Sequence, residues 1–193
     1  MNNLVRLVYV SRAVFVSAEQ GFGIEPMITK ILFESRRRNI QRGLVGVLYY
    51  GDGYFMQCIE GERFYVDQLY EKIKKDSRHT DVRVLSYDGI LHQAFDQWRM
   101  KYIPLDQQTK LLLSRYGAKN FRPDQLSADA VSALLNYAAE QKDDRLTTQV
   151  LAEGRLLEDE IVRERTMTVL VIGFFVFLAL FSMSMIVLAL QLG

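Results

Sequence analysis

The chain of 193 residues is poor in the residues that build cross-links and metal sites. It contains one cysteine, Cys58, which excludes an internal disulfide framework and suits a reducing compartment. Its two histidines, His79 and His92, form no carboxylate–histidine cluster in the sequence, so we predict no metal site. Basic and acidic residues number 24 and 23, which gives no electrostatic reason to expect a nucleic-acid partner.

Charge is absent after Arg165, and residues 167–190 are almost wholly apolar. At about 1.5 Å per residue, a helix of this length spans about 36 Å and can cross a hydrocarbon core of about 30 Å. Arg155, Arg163 and Arg165 precede the stretch, and positive charge prefers the cytoplasmic side of a membrane. The sequence therefore predicts one transmembrane helix in the cytoplasmic membrane, with the N-terminal domain in the cytoplasm. A buried core helix is the alternative.

The rest of the chain shows the periodicities of an α+β fold. Alternation of apolar residues predicts five strands, at residues 4–11, 44–50, 54–60, 82–87 and 98–103. Helical spacing predicts two helices between them, at residues 26–39 and 62–76. The order βαββαββ predicts a ferredoxin-like sandwich with both helices on one face of the sheet. The first helix ends on three arginines, residues 36–38, which favour its dipole and are expected to extend to solvent.

Pro104 closes the predicted sheet, and a mostly helical region follows it. We expect short helices at residues 109–116 and 127–141, with Ser127 as the N-cap of the second. A further helix from about Asp144 is expected to run into the transmembrane helix. The predicted domains are residues 1–104, a helical cap or linker at residues 105–165, and the transmembrane helix with a short tail at residues 166–193.

Gln57 is an amide on a strand face that should be apolar. By alternation it shares that face with Phe55 and Ile59. Burying an unpaired amide costs roughly 1–3 kcal/mol, so a polar partner is expected inside. In the first predicted helix, Ser35 and Asn39 join an apolar stripe by the same argument from spacing.

Three further side chains face inward by alternation, namely Tyr9 in the first strand and Trp98 and Met100 in the fifth. Each of them alone is an ordinary core residue. Together with the two amides, they form a larger set of inward-facing polar groups than a small domain usually buries without a ligand. A flat heteroaromatic ligand with imide-like edges would match, with Ile31 and Ile73 against its faces.

This set of residues resembles a known family, the blue-light sensors using flavin, or BLUF domain. The resemblance runs from about residue 4 to residue 103. It rests on these segments in order: Leu7-Val8-Tyr9-Val10-Ser11, Ser35 through Asn39 with Gly43-Leu44-Val45-Gly46, Phe55-Met56-Gln57-Cys58-Ile59-Glu60-Gly61, Asp76, Arg78-His79 and Trp98-Arg99-Met100.

The resemblance implies that a flavin binds between the two helices, either FAD or the alternatives FMN and riboflavin. The implied flavin contacts are Tyr9, Ile31, Ser35, Asn39, Gln57, Lys72, Ile73, Arg78 and His79. Ser35 and Asn39 would contact the polar edge of the ring system, and Lys72 would lie near the ribose or phosphates. Arg78 and His79 match a family motif, and a polar turn after a helix is their alternative interpretation.

The resemblance also implies a photochemical mechanism. Tyr9 would give an electron and a proton to the excited flavin, and the amide of Gln57 would then reverse its hydrogen bonds. Trp98 and Met100 would compete for a site beside Gln57 and pass the change to the last strand. The helices after Pro104 would receive it.

The sequence therefore predicts a membrane-anchored blue-light photoreceptor without enzymatic activity, signalling to an unknown protein partner or to the transmembrane helix. The sequence also allows a homodimer, formed either through the later helices or through the transmembrane helix. A flavin reductase would need a Gly-rich fingerprint, and an acylphosphatase-like enzyme a Gly-rich cradle beside Arg12; neither is present. A membrane adaptor with a degenerate, flavin-free fold is the remaining alternative.

Overall fold

The structure, a computed structural model, describes residues 3–15, 26–95 and 100–141, together with residues 159, 162–163, 166–172 and 174. The chain divides into two compact units, Met1–Leu151 and Ala152–Gly193. The three predicted domain ranges stay a prediction.

In the second unit, the described residues are helical and exposed. Among the residues that the structure describes, no helix is both long and apolar enough to cross a membrane. Of the predicted transmembrane helix at residues 167–190, all but residues 167–172 and 174 lie outside the described part of the chain.

One five-stranded sheet organises the first unit, in the order β4-β1-β3-β2-β5. Its strands are β1 (Leu4–Ala13), β2 (Val45–Gly51), β3 (Tyr54–Glu62), β4 (His79–Gly89) and β5 (Lys101–Pro104). Its helices are α1 (Pro26–Arg42), α2 (Arg63–Ile73), α3 (Gln107–Arg115) and α4 (Ala128–Glu140), with a 3₁₀ turn at Pro123–Gln125. The strands pair antiparallel except for β2 and β5, which are parallel. The predicted βαββαββ order and ferredoxin-like α+β class are confirmed.

Helices cover both faces of the sheet. On one face, α1 and α2 pack over two separate apolar clusters, which contain Ile28 and Val66 respectively. On the other face, α3 and α4 pack over a single larger cluster that contains Leu113 and Leu134. Because β2 and β3 are buried on both faces, they carry apolar residues at most positions. Helices α3 and α4, which follow residue 104, therefore belong to the same compact unit as the sheet and form a layer on its second face.

Helix ends follow from local chemistry. Gly43 adopts a φ of +63°, and the Leu44 N–H donates to the carbonyl oxygen of Asn39 at 3.1 Å, so α1 ends in a glycine C-cap. This cap places the end of α1 at Arg42, three residues beyond the predicted end. Ser127 Oγ accepts a hydrogen bond from the Ala130 N–H at 3.2 Å, which confirms Ser127 as the N-cap of α4.

Strand β5 is shorter than the prediction for residues 98–103. It begins at Lys101, so Met100 lies immediately before the paired strand. Residues 96–99, which include Trp98, lie outside the described part of the chain.

Candidate functional site

A hydrogen-bonded chain of three buried side chains crosses the face of the sheet that α1 and α2 cover. Tyr9 in β1 lies directly opposite Gln57 in β3. The Tyr9 hydroxyl donates to Gln57 Oε1, and Gln57 Nε2 donates to Met100 Sδ at 3.1 Å. Their exposed fractions are 0%, 4% and 1% respectively. The polar partners expected for Gln57 are therefore Tyr9 and Met100.

Burial defines the direction of these bonds. Removal from water raises the pKa of the Tyr9 phenol well above its ordinary value, and the charge of Asp76 adds to this effect. The phenol therefore stays protonated and donates to the amide oxygen of Gln57. The amide nitrogen is left to donate to the thioether of Met100, which is a weak acceptor. Turning the amide by half a revolution would direct Nε2 at the Tyr9 hydroxyl oxygen and Oε1 at Met100 Sδ, and the hydrogen bond to Met100 would be lost because neither atom of that pair carries a proton.

Gln57 lies where the two apolar clusters on this face meet. Tyr9 and the half-buried Ile73 belong to the cluster under α2, and Ile31 and Met100 belong to the cluster under α1. The structure thus places Ile31 and Ile73 in the two different clusters that the polar chain connects.

The other predicted contacts on the helices differ in their burial. Asn39 is fully buried in α1, and Ser35 is half-buried four residues before it. Lys72 is exposed on α2. An amide and a hydroxyl therefore face the covered side, whereas the ammonium group faces solvent.

The predicted motif Arg78-His79 forms part of a polar cluster at the end of β1. Ser11 Oγ lies 2.8 Å from His79 Nδ1, and the rings of Phe55 and His79 are 4.6 Å apart. Burial lowers the pKa of His79 to about 4, with Arg78 acting in the same direction and Asp76 opposing both. His79 is therefore neutral near pH 7.

Arg78 joins α1 to the turn that follows α2. Its Nη2 lies 2.6 Å from Asp76 Oδ2 and 3.1 Å from Glu34 Oε2 in α1. The hydrogen bond from Arg78 holds the pKa of the Asp76 carboxyl below its ordinary value. Arg78 is therefore part of a polar turn and also connects that turn to α1.

Arg36 was expected to extend to solvent, and that prediction is wrong. Its exposed fraction is 6%, and its Nε donates to the carbonyl oxygen of Met100 at 2.8 Å. Only its neighbours Arg37 and Arg38 are exposed. The spacing contained the signal, because Arg36 follows the buried Leu32 by four residues and so lies on the same helical stripe.

Glu60 is a second residue that the sequence reasoning missed. It is fully buried, and its Oε1 lies 2.6 Å from Arg6 Nη2. Its Oε2 accepts hydrogen bonds from the backbone N–H groups of Ala94 at 2.6 Å and Phe95 at 3.4 Å. Gln93 Nε2 adds a bond to the Glu60 carbonyl oxygen at 3.1 Å. Glu60 thus fixes residues 93–95 to β3.

The comparisons with known proteins agree with this geometry. Residues 4–101 match the family model described as BLUF, sensors of blue-light using FAD. The chain belongs to the BLUF family. Blue-light photoreception with a flavin is therefore its function at the level of the family.

Curated relatives of this BLUF chain are much longer proteins. Photoactivated adenylate cyclase subunit beta of Euglena longa is 32% identical over 104 residues, which are 51% of this chain and 11% of that protein. Photoactivated adenylate cyclase subunit alpha of Euglena gracilis is 37% identical over 73 residues, which are 38% of this chain and 7% of that protein. The match thus spans about a tenth or less of each relative.

Two solved structures share the fold over most of this chain. BlsA in its ground state has a TM-score of 0.65 at 32% identity, covering 74% of this chain and 92% of that chain. BlrB, a BLUF protein in its dark state, has a TM-score of 0.60 at 28% identity, covering 72% of this chain and 97% of that chain. This coverage exceeds residues 4–101, so the likeness includes structure beyond the family match.

The residues of this BLUF domain fit a flavin. Its buried donor and acceptor set consists of the phenol of Tyr9 and the amides of Gln57 and Asn39. Apolar side chains of Ile31 and Ile73 flank this set from two clusters. A ring system with polar edges and apolar faces matches both features. Trp98, the remaining predicted site residue, lies outside the described residues.

Proposed function

We propose that this chain is a blue-light photoreceptor in which Tyr9 and Gln57 convert light absorption by bound FAD into a change at Met100. The observation that carries the proposal is the buried chain of hydrogen bonds from Tyr9 through Gln57 to Met100. When bound, FAD supplies the absorption of blue light and an acceptor for one electron; FMN or riboflavin would supply the same ring.

Side chains from both helices would hold the flavin. Asn39 and Ser35 would hydrogen-bond the polar edge of the ring, and Ile31 and Ile73 would pack against its faces. Lys72, exposed on α2, remains the candidate for the ribose or phosphates. These assignments are supported by the burial of the α1 residues and by the two apolar clusters.

Arg78 and His79 would close the flavin site at the end of β1. Arg78 binds Glu34 and Asp76, so its role would be to keep α1 and the turn after α2 in place around the ligand. His79 lies against Ser11 and Phe55 and would present a neutral ring near pH 7.

Tyr9 holds the hydrogen-bond pattern of the dark state. Its hydroxyl donates to Gln57 Oε1, which keeps Nε2 directed at Met100 Sδ. Transfer of an electron and a proton from Tyr9 to the bound flavin would remove that donor, and the Gln57 amide could then turn. When both return to Tyr9, the phenol meets the turned amide and Met100 has lost its donor. Trp98 would compete with Met100 for the place beside Gln57.

The output would pass through β5 and the later helices to a protein partner or to the second unit. We infer no enzymatic activity for this chain, because its match covers only 11% and 7% of the two adenylate cyclase relatives. A homodimer is a further candidate for the signalling state. A flavin-free membrane adaptor is the competing function.

We further propose that residues 167–190 anchor the protein in the cytoplasmic membrane, with the BLUF domain in the cytoplasm. The support is the uncharged apolar sequence and the arginines before it. The side chains of the described residues 167–172 are exposed in their own unit, as lipid-facing residues would be.

Absorption spectroscopy of Tyr9→Phe tests the photochemical proposal. The wild-type protein should be yellow and should show a small, reversible red shift under blue light, because the turned amide strengthens a hydrogen bond to the flavin. Tyr9→Phe should bind flavin without the shift, since it lacks the proton to transfer.

Tyr49→Phe is the matched control for Tyr9→Phe. Tyr49 is also buried, but its hydroxyl donates to the Leu134 carbonyl oxygen on the other face of the sheet at 2.7 Å. The control should keep the red shift. A folded but colourless wild-type protein would support the flavin-free adaptor, and a red shift that survives Tyr9→Phe would contradict the mechanism.

A further inference from the structure

Lys101 is a buried charged residue that follows Met100 directly. Its exposed fraction is 2%. Successive side chains of an extended segment point to opposite faces. Met100 therefore faces the clusters under α1 and α2, whereas Lys101 faces the layer formed by α3 and α4.

The ammonium group of Lys101 lies at the C-terminus of α4. Its Nζ donates to the carbonyl oxygen of Ala138 at 3.3 Å and to that of Gln141, the C-cap residue of α4. The last carbonyl groups of a helix have no partner within the helix and carry a partial negative charge. Lys101 supplies both a donor and a positive charge to them.

Tyr49 attaches the same helix to the sheet at a different point. Its hydroxyl donates to the carbonyl oxygen of Leu134, one turn before Ala138. Tyr49 lies in β2, opposite Met56 and beside Ile103. Helix α4 therefore has one attachment in its middle, at Tyr49, and another at its end, at Lys101.

Met100 is held on two sides. Gln57 Nε2 donates to its sulfur at 3.1 Å, and Arg36 Nε donates to its carbonyl oxygen at 2.8 Å. The carbonyl group of Met100 belongs to the peptide that joins it to Lys101. A displacement of Met100 therefore reaches the backbone of Lys101 through a single peptide unit.

We propose that Lys101 is a positioning residue that couples Met100 to the C-terminal turn of α4. This inference rests on the proposed function, in which light changes the bond between Gln57 and Met100. In the dark, Lys101 caps the end of α4. In the light, the shift of Met100 withdraws this cap, while Tyr49 keeps the middle of the helix on the sheet.

Amide hydrogen exchange of the flavin-loaded full chain tests the coupling. In the wild type, residues 138–141 should exchange about fivefold faster in blue light than in the dark, the factor for losing a helix-end cation worth about 1 kcal/mol. Lys101→Met keeps the length of the apolar stem but removes the charge. It should show the faster exchange in the dark already and no further change in light, with the flavin red shift retained.

Tyr49→Phe is the control, since it removes the other attachment of α4. It should keep the difference between light and dark at residues 138–141. A Lys101→Met protein that keeps this difference, or a wild type that shifts its spectrum without it, would overturn the role of Lys101. Absence of the spectral shift in the wild type would instead overturn the proposed function, and the coupling with it.

Chemical labelling gives a second measurement that needs no variant. Acetylation of Lys101 Nζ in the wild type should be slow in the dark, because the amine is buried and bonded to α4. Under blue light the rate should rise severalfold as the amine leaves the carbonyl groups. An unchanged rate in a protein whose flavin spectrum does shift would contradict the proposal.

Discussion

Gln57 is held by one strong and one weak hydrogen bond. The phenol of Tyr9 is a strong donor to the amide oxygen, whereas the sulfur of Met100 is a weak acceptor for the amide nitrogen. Loss of the proton from Tyr9 therefore removes most of what orients the amide. Half a revolution of the amide within a fixed pocket would then produce a new hydrogen-bond pattern.

At the residue scale, His79 makes stability depend on pH. Folding lowers its pKa from 6.5 to about 4, so the unfolded chain binds the proton more readily between these values. Stability should therefore fall as the pH falls through this window. The loss should reach about 2 kcal/mol, since each pKa unit corresponds to about 1.4 kcal/mol and partial exposure reduces the sum.

Urea unfolding at pH 7 and near pH 4.5, followed by the fluorescence of the single tryptophan, measures this effect. His79→Gln should lose less stability than the wild type over the same interval. His92→Gln changes an exposed histidine and should behave as the wild type. Equal losses in the wild type and His79→Gln would show that His79 does not set the pH dependence.

Much of the candidate site followed from alternation along the strands. Tyr9, Gln57 and Met100 were placed on one face by a period of two residues, and the structure brings them into one chain of bonds. Arg36 and Glu60 were missed because both are charged residues that the fold buries against specific partners. Those partners are 64 and 54 residues away, and no local pattern encodes them.

At the scale of elements, β3 presents different chemistry on its two faces. Gln57 belongs to the face that α1 and α2 cover, and the Glu60 carboxylate on the other face holds Arg6 and two backbone N–H groups. Glu60→Gln removes the charge and one acceptor, so we expect a loss of about 1–3 kcal/mol in unfolding free energy. The shift of the urea unfolding midpoint measures this loss, provided that the dependence of the unfolding free energy on urea concentration keeps the same slope.

Glu71→Gln is the matched control for Glu60→Gln. Glu71 forms an exposed ion pair with Lys74, the C-cap residue of α2, and such pairs contribute less than about 1 kcal/mol. The control should therefore change the midpoint little. Equal effects of the two substitutions would contradict the structural role of Glu60.

The C-terminal end of α1 depends on the left-handed backbone of Gly43. Gly43→Ala should destabilise the protein by about 1–2 kcal/mol, because a Cβ is disfavoured at a φ of +63° although no atom lies within 4 Å of it. Gly89→Ala also meets open space, but at an ordinary φ, and should be nearly neutral. Thermal unfolding of both variants measures the two losses of stability. Equal losses would contradict a glycine C-cap at Gly43.

Element order was predictable because each helix and strand carries its own period. The boundaries of helices and strands were less predictable where a cap or a tertiary contact decides them. Helix α1 continued to Arg42 because Gly43 provides its cap, and β5 began at Lys101 rather than residue 98. The region of α3 and α4 was predicted only as a helical cap or linker, and the sheet face that it covers was not predicted, since that depends on contacts between distant residues.

At the scale of the whole molecule, the apolar stretch at residues 167–190 predicts membrane attachment. Extraction of membranes with alkaline carbonate should leave the full chain in the pellet, because a transmembrane helix stays in the bilayer at high pH. A chain that ends at residue 165 should be released to the supernatant. Release of the full chain would contradict the anchor without affecting the photochemistry.

The light-minus-dark absorption difference of Gln57→Leu tests the central claim most directly. Leucine fills a similar space but cannot accept from Tyr9 or donate to Met100. The account predicts that the flavin-loaded wild type shows a reversible red shift and that flavin-loaded Gln57→Leu shows none. A red shift of the same size in Gln57→Leu would contradict the account, because the amide would then not be the group that light rearranges.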